Sequence, residues 1–312
     1  MLQLNQLSFS YQNSLVINHV SFQLSSGKSY ALIGASGSGK STLLKLIYGL
    51  LDANSGSIFW NDTQILGPAY HLVPGMDFIK YLAQDFDLMP FVSVEENVGR
   101  FLSNFYLKEK KQRVAELLEL VGMTEFANVK AKFLSGGQMQ RTALAKVLAL
   151  QPQVLLLDEP FSHIDFHLKS QLAQHVFDYC KSNGITVIYT SHTPNEILMF
   201  SDEVLVMQAG KLIEKQTTIN VYKNPKSIYS AQLTGEINSI PARYFGFDND
   251  ETFLLRPHEL VVDSTGFEVT VTACNFVGSY YVISANLNDV SVKIQSNESI
   301  EIEKKIKISI TS

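Results

Sequence analysis

Gly34-Ala35-Ser36-Gly37-Ser38-Gly39-Lys40-Ser41-Thr42 fits the pattern G-x-x-x-x-G-K-[ST]. A glycine-rich turn of this length lets successive backbone N–H groups converge on one anion, where a Cβ would obstruct the approach. The helix that follows adds the positive end of its dipole to the same point. Lys40 is placed to reach the β- and γ-phosphates of a nucleotide, and the Ser41 hydroxyl to ligate Mg²⁺. The stretch therefore predicts a phosphate loop between a strand and a helix.

The flanking sequence supplies both elements. Ser29 to Ile33 is a short apolar run that reads as a strand, and Leu43 to Tyr48 reads as a helix. Upstream, Leu2 to Tyr11 and Val20 to Leu24 read as strands, the second alternating apolar and polar positions. Between about residues 87 and 150 the pattern turns helical: Val114, Leu117, Leu118 and Val121 stand at i, i+3, i+4 and i+7, one helix face. Val154 to Leu157 and Thr186 to Tyr189 are short β-rich runs suited to buried parallel strands. Strands alternating with helices predict an α/β domain over residues 1–235. Pro225, Gly235 and Pro241 interrupt the pattern there. Residues 236–312 read as a small all-β barrel, with strands near Phe253–Arg256, Phe267–Thr272, Tyr280–Ala285 and Val290–Ile294. The alternation of Ile300, Ile302, Ile306, Ile308 and Ile310 predicts its inner face.

Bulk properties narrow the class. In 312 residues, 46% hydrophobic and 18% charged content suit a soluble globular chain with ample core. A net charge of -5 provides no basic field, so no nucleic-acid partner is expected. Cys180 and Cys274 lie far apart without metal or redox spacing, and predict reduced thiols in a cytosolic compartment. The N-terminus has no signal-peptide pattern, and no run approaches the roughly 20 apolar residues of a membrane helix. Any membrane role is expected to come through partners.

Two further motifs select among phosphate-loop proteins. Val154-Leu155-Leu156-Leu157 ends in Asp158 and Glu159. Asp158, at the strand tip, is placed to hold Mg²⁺ directly or through water, and Glu159 to orient or deprotonate an attacking water. A buried strand with a polar exit explains the same pair. Leu134-Ser135-Gly136-Gly137-Gln138 precedes a helix containing Ala143 to Leu150, and reads as an anion-binding cap or as an ordinary N-cap.

Together these residues resemble an ATP-binding-cassette nucleotide-binding domain, on the LSGGQ run above all. The order of motifs also matches: phosphate loop, Gln84, LSGGQ, carboxylate pair, Ser162-His163-Ile164-Asp165 as the D-loop, and Thr190-Ser191-His192 ending in the switch histidine. Ile164 stands where leucine is usual and Lys146 where arginine is common; neither change removes a catalytic group. The resemblance implies a phosphate-loop ATPase cassette with a helical subdomain at about 87–150. Within it, Tyr11 stacks on adenine, Gly34, Ala35, Ser36, Gly37, Ser38, Gly39, Lys40, Ser41 and Thr42 hold the phosphates, and Ser41, Gln84 and Asp158 hold Mg²⁺. Glu159, His192 and Gln84 then serve catalysis. It also implies that Ser135, Gly136, Gly137 and Gln138 bind nucleotide, Ser135 and Gly137 at the γ-phosphate of a second copy's ATP, and that Asp165 ends the D-loop. The remaining histidines (19, 71, 163, 167, 175 and 258) have no metal spacing and read as surface or satisfied polar groups.

In the tail, Leu254-Leu255-Arg256-Pro257-His258-Glu259-Leu260 and Phe276-Val277-Gly278-Ser279 resemble the OB-like module of importer ATPases for sugars, polyamines, iron(III), sulfate or molybdate. An OB shape invites an oligonucleotide reading, but Tyr280 and Tyr281 are adjacent and form no stacking platform on one strand face. The expected function is ATP-driven solute import, with a homodimer of this chain, integral-membrane permease subunits and, indirectly, a substrate-binding protein. The expected place is the cytoplasmic face of the membrane, held peripherally. A cassette ATPase of translation or repair is the alternative. It fits less well, because one copy of each motif is present and Lys40 and Ser135 are only 135 − 40 = 95 residues apart. The tail module argues against an exporter.

Overall fold

The computed structural model of the chain describes residues 1–245, 251–288 and 290–311, apart from the Phe166 side chain. It divides into two compact units, Met1–Asn220 and Val221–Ser312.

The first unit begins with antiparallel strands β1 (Leu2–Tyr11) and β2 (Ser14–Leu24), in register Leu2 to Leu24. Strand β3 (Ser29–Ile33) then leads through the glycine-rich turn into α1 (Lys40–Tyr48). Next come β4 (Ser55–Trp60), β5 (Thr63–Gln64) and β6 (Ile79–Leu82), followed by the helical segment α2 (Val94–Val98), α3 (Leu107–Leu120) and α4 (Gly136–Leu148). The unit finishes with β7 (Val154–Leu157), α5 (Phe166–Ser182), β8 (Thr186–Thr190), α6 (Pro194–Phe200), β9 (Glu203–Gln208) and β10 (Lys211–Thr217). The helix face read from sequence is present: Val114, Leu117 and Leu118 are the buried residues of α3, and Val121 is buried at its end.

Two sheets result, ordered β2-β1-β4-β5 and β10-β9-β3-β8-β7-β6. In the second, β3 runs parallel to β8 and β9, and β7 runs parallel to β6 and β8. Every residue of β7 and β8 is buried, as their short β-rich runs lead one to expect. A core of Leu2, Leu4, Ile17, Leu43, Ile47, Trp60, Leu156 and Leu205, among others, joins both sheets to α1. The sheet order decides where chemistry can occur. Chain segments leave β3, β8, β7 and β6 at the same carboxyl edge, where parallel sheets bind ligands. The phosphate loop, His192, Asp158–Glu159 and Gln84 are the residues on those exits.

The second unit holds the second half of α7 (Thr218–Lys223), then α8 (Ile228–Leu233), β11 (Asn238–Pro241), β12 (Thr252–Leu255), β13 (Leu260–Phe276), β14 (Tyr281–Leu287), β15 (Val290–Ser296) and β16 (Lys305–Ile310). Its sheets are β11-β12 and β15-β14-β13-β16, antiparallel throughout, around Ile240, Leu260, Val271, Ile283, Ile294 and Ile308. The boundary expected at residue 235 falls instead at 220. Arg256 explains the difference: its guanidinium donates to the carbonyls of Tyr222, Ala231 and Glu236 and to Thr234 Oγ1, tying the segment before 236 into the β unit. The inner-face reading of the isoleucines holds for Ile306 and Ile308. Ile302 sits in a turn and is exposed, as is Ile310 at the end of β16. No helix among the described residues is long and apolar enough to cross a membrane.

Candidate active site

The phosphate loop has the conformation its glycines allow. Gly39 has φ 101, and a Cβ there would lie 2.9 Å from the Val16 carbonyl, so a side chain would strain the backbone and collide with it. Lys40 is buried and folded back, its Nζ donating to the carbonyls of Gly34 (2.8 Å) and Ala35 (3.0 Å). Burial pulls its ammonium below the ordinary lysine value, while Glu159 and Asp158 push it back up. Ser38 Oγ is buried without a hydrogen-bond partner among the described residues. A donor-rich loop with a cation and an idle hydroxyl is suited to an entering anion.

A cavity of about 520 Å³ lies beside this loop; Tyr11, Ser41, Lys45, Tyr81, Gln84 and Asp158 are among the residues that line it. It gathers the aromatic expected under adenine and all three groups expected to hold Mg²⁺, although they come from positions 11, 41, 84 and 158. The Tyr11 ring is 45% exposed and braced edge-on by Phe9, with centroids 4.7 Å apart. Hydroxyl, amide and carboxylate oxygens are the donors a hard divalent cation takes, so the residues present fit Mg²⁺.

The carboxylate pair is built by β7 and β8 together. Thr190 Oγ1 donates to Asp158 Oδ1 (2.8 Å) and accepts from the Glu159 N–H (2.8 Å). Tyr81 OH donates to Asp158 Oδ2 at 3.3 Å. Burial, and then the Asp158 carboxylate, raises the Tyr81 phenol well above its ordinary value, so it stays protonated as a donor. Glu159 adopts φ 51, a left-handed conformation rare for a residue with a Cβ. Its Oε1 lies 2.8 Å from His192 Nε2, the pairing that the switch-histidine reading expects.

The signature residues lie elsewhere. Ser135 caps α4 in a reciprocal box: Gln138 N–H donates to Ser135 Oγ (3.3 Å), and Ser135 N–H donates to Gln138 Oε1 (2.9 Å). None of Ser135, Gly136, Gly137 and Gln138 lines the 520 Å³ cavity. Asp165 is the N-cap residue of α5 but makes no capping bond through its side chain, which is exposed. One chain thus brings together the phosphate loop, Tyr11, Gln84, Asp158, Glu159 and His192, and sets the signature apart.

Three further residues hold this geometry, of which only Thr190, at the start of the switch-histidine run, lies in a motif read above. Tyr81 and Thr190 orient Asp158, and Gln140 bonds to the backbone of Glu159 and His163. Thr190 ends an apolar run, which is the one local hint; Tyr81 and Gln140 act on groups 77 and 19 residues away.

The family profile described as ABC transporter matches residues 17–162. A second profile, for an AAA domain, matches residues 134–198, the stretch holding Ser135, the carboxylates and His192. The chain is 34% identical over 244 residues to a Haemophilus influenzae protein named Fe(3+) ions import ATP-binding protein FbpC, covering 78% of this chain and 70% of that protein. A Mannheimia succiniciproducens protein of the same name is 30% identical over 324 residues, covering 96% and 91%. Among solved structures, the dimeric bacterial ABC transporter cassette MJ0796 has a TM-score of 0.63 at 25% identity, covering 70% of this chain and 99% of that one. The cbiO1 subunit of a Clostridium perfringens ABC transporter complex gives 0.63 at 27%, covering 72% and 90%. The motifs, the fold and the relatives agree, and the chain belongs to the ATP-binding-cassette transporter family as one of its ATP-hydrolysing members.

Proposed function

We propose that the chain hydrolyses ATP at the cavity beside α1 to power import of a solute, with iron(III) the favoured substrate. The observation that carries the chemical part is the convergence of Tyr11, Ser41, Gln84 and Asp158 on one cavity, with Glu159 held 2.8 Å from His192 at the same sheet edge. Tyr11 stacks the base, and Lys40 leaves the Gly34 and Ala35 carbonyls for the phosphates. Glu159 takes the proton of the attacking water while His192 steadies its carboxylate. Ser41, Gln84 and Asp158 would hold Mg²⁺, which supplies charge neutralisation for the leaving phosphate. The import part rests on the relatives named as Fe(3+) import ATP-binding proteins.

Separation of Ser135–Gln138 from the cavity supports a paired arrangement, in which each signature serves the ATP of the other copy. A groove of about 710 Å³ adjoins the Gln84 loop, its lining including apolar Val73, Met76, Phe86 and Phe101 and charges of both signs, Asp77, Asp85 and Asp87 with Lys80 and Lys146. Its position beside Gln84 suits the permease that this function requires, and the chain would then sit peripherally on the cytoplasmic face.

Two measurements test the reading. Reconstituted with its permease and binding protein, the chain should drive ATP-dependent uptake of radioactive iron(III); uptake of another solute alone would overturn the substrate. In a mixture of Lys40→Ala and Ser135→Ala subunits, mixed dimers should bind one ATP well while each homodimer binds poorly. Equal binding in all three species would mean that each site is built within one chain.

A further inference from the structure

Gln140 lies on the second turn of α4, is 2% exposed, and belongs to none of the motifs that touch nucleotide in the reading above. Its amide is used at both ends. Nε2 donates to the Glu159 carbonyl (3.0 Å) and, at longer range, to Ser162 Oγ (3.4 Å), while Oε1 accepts the His163 N–H (3.0 Å). The same Glu159 carbonyl accepts from Ser162 Oγ at 3.1 Å. On the amino side, the Glu159 N–H is held by Thr190. Both peptide groups of a residue at φ 51 are therefore anchored by side chains. An L-residue keeps such a backbone only when its surroundings over-determine it.

We propose that Gln140 is a positioning residue for Glu159. By donating to the Glu159 carbonyl it fixes the left-handed turn from which the carboxylate reaches His192. It also ties that turn to the helix whose first turn is the signature. Gly137 packs against His163, where a Cβ would come within 2.8 Å of the His163 carbonyl, so signature, D-loop and Gln140 form one contact set. A displacement of the signature helix is thereby felt at the Glu159 backbone. The inference rests on the reading of Glu159 as the base.

The test uses the full chain and steady-state ATP hydrolysis. Gln140→Leu should lower kcat by about 10- to 100-fold, the cost of a reacting group set slightly out of place. KM for ATP should stay within about twofold, because no nucleotide contact is lost. Gln140→Glu keeps the acceptor for His163 but turns a carboxylate oxygen toward the Glu159 carbonyl, and should fall as far; being isosteric, it answers the question if the leucine variant does not fold. In a Glu159→Gln background, Gln140→Leu should cost nothing further, since the two act as one unit. A wild-type kcat in Gln140→Glu, or the same fold loss with and without Glu159, would overturn the proposal. A wild-type rate in Glu159→Gln alone would instead remove the reading on which it rests.

Discussion

Thr190 shows how much of the site hangs on a side chain that touches no substrate. Its hydroxyl accepts from one part-buried peptide N–H and donates to one buried carboxylate. Thr190→Val keeps shape and removes both bonds, leaving a part-buried N–H unpaired and a buried carboxylate one donor short. The expected cost is about 2 kcal/mol in urea unfolding, with Thr190→Ser close to wild type; equal stability of the valine variant would contradict the assignment. Cys180 gives a second prediction. Burial pushes its thiol up to about 12, so it stays protonated at neutral pH. Iodoacetamide should modify at most one thiol of the folded chain, the half-buried Cys274, and two only after unfolding. Neither residue announces its role locally. Sequence spacing reveals groups that act within a turn, as in the phosphate loop, and is silent on groups that meet across a sheet. Tyr81 and Thr190 meet Asp158 across the sheet, and Gln140 reaches the Glu159 turn from a helix, so none of these bonds leaves a local trace.

The Gln84 loop is fastened to α4 by a different device. Lys146 is buried, and its ammonium reaches the Asp87 carboxylate at 2.9 Å and also the Asp87 carbonyl. Phe86 and Asp87 both have positive φ, 62 and 44, and the Phe86 ring meets His163 edge-on at 5.4 Å. The pair is lopsided, since the Asp87 side chain is 87% exposed and that of Lys146 only 7%. Removing the exposed carboxylate leaves a buried cation with only the Asp87 carbonyl; removing the buried ammonium merely frees a hydrated carboxylate. Asp87→Ala should therefore cost about 1–3 kcal/mol of stability, and Lys146→Met under about 1 kcal/mol, measured by denaturant melts. The reverse order would contradict the account. The same packing gives two aromatic residues of this loop different roles. Phe91 is 70% exposed, and its change to serine should uncouple transport while sparing basal hydrolysis. Phe86 braces the D-loop, so its change to serine should lower hydrolysis itself. Sequence periodicity located α3 and the buried strands because burial imposes a period, whereas a loop held by positive-φ residues and one cation leaves no such trace.

Across the chain, the α/β character of the first unit and the all-β character of the second were both legible, the first from apolar runs interleaved with a helix face, the second from short strands parted by turns. The boundary was not, because breaks at Pro225 and Gly235 mark bends in the path, while membership is set by Arg256 and its distant carbonyl partners. A fragment ending at Asn220 should accordingly fold and bind ATP with an affinity unchanged within about threefold, and a fragment ending at Thr234 should be less soluble, carrying a segment stripped of Arg256. The cavity bounded by Tyr11, Ser41, Gln84 and Asp158 should hydrolyse ATP through Glu159. Turnover by Glu159→Gln, measured beside ATP binding and light scattering in the same preparation, tests it most directly. The account predicts retained binding, turnover lowered by about 100-fold or more, and two copies of the chain trapped together at saturating MgATP. A wild-type rate, or a monomer with ATP bound, would contradict it.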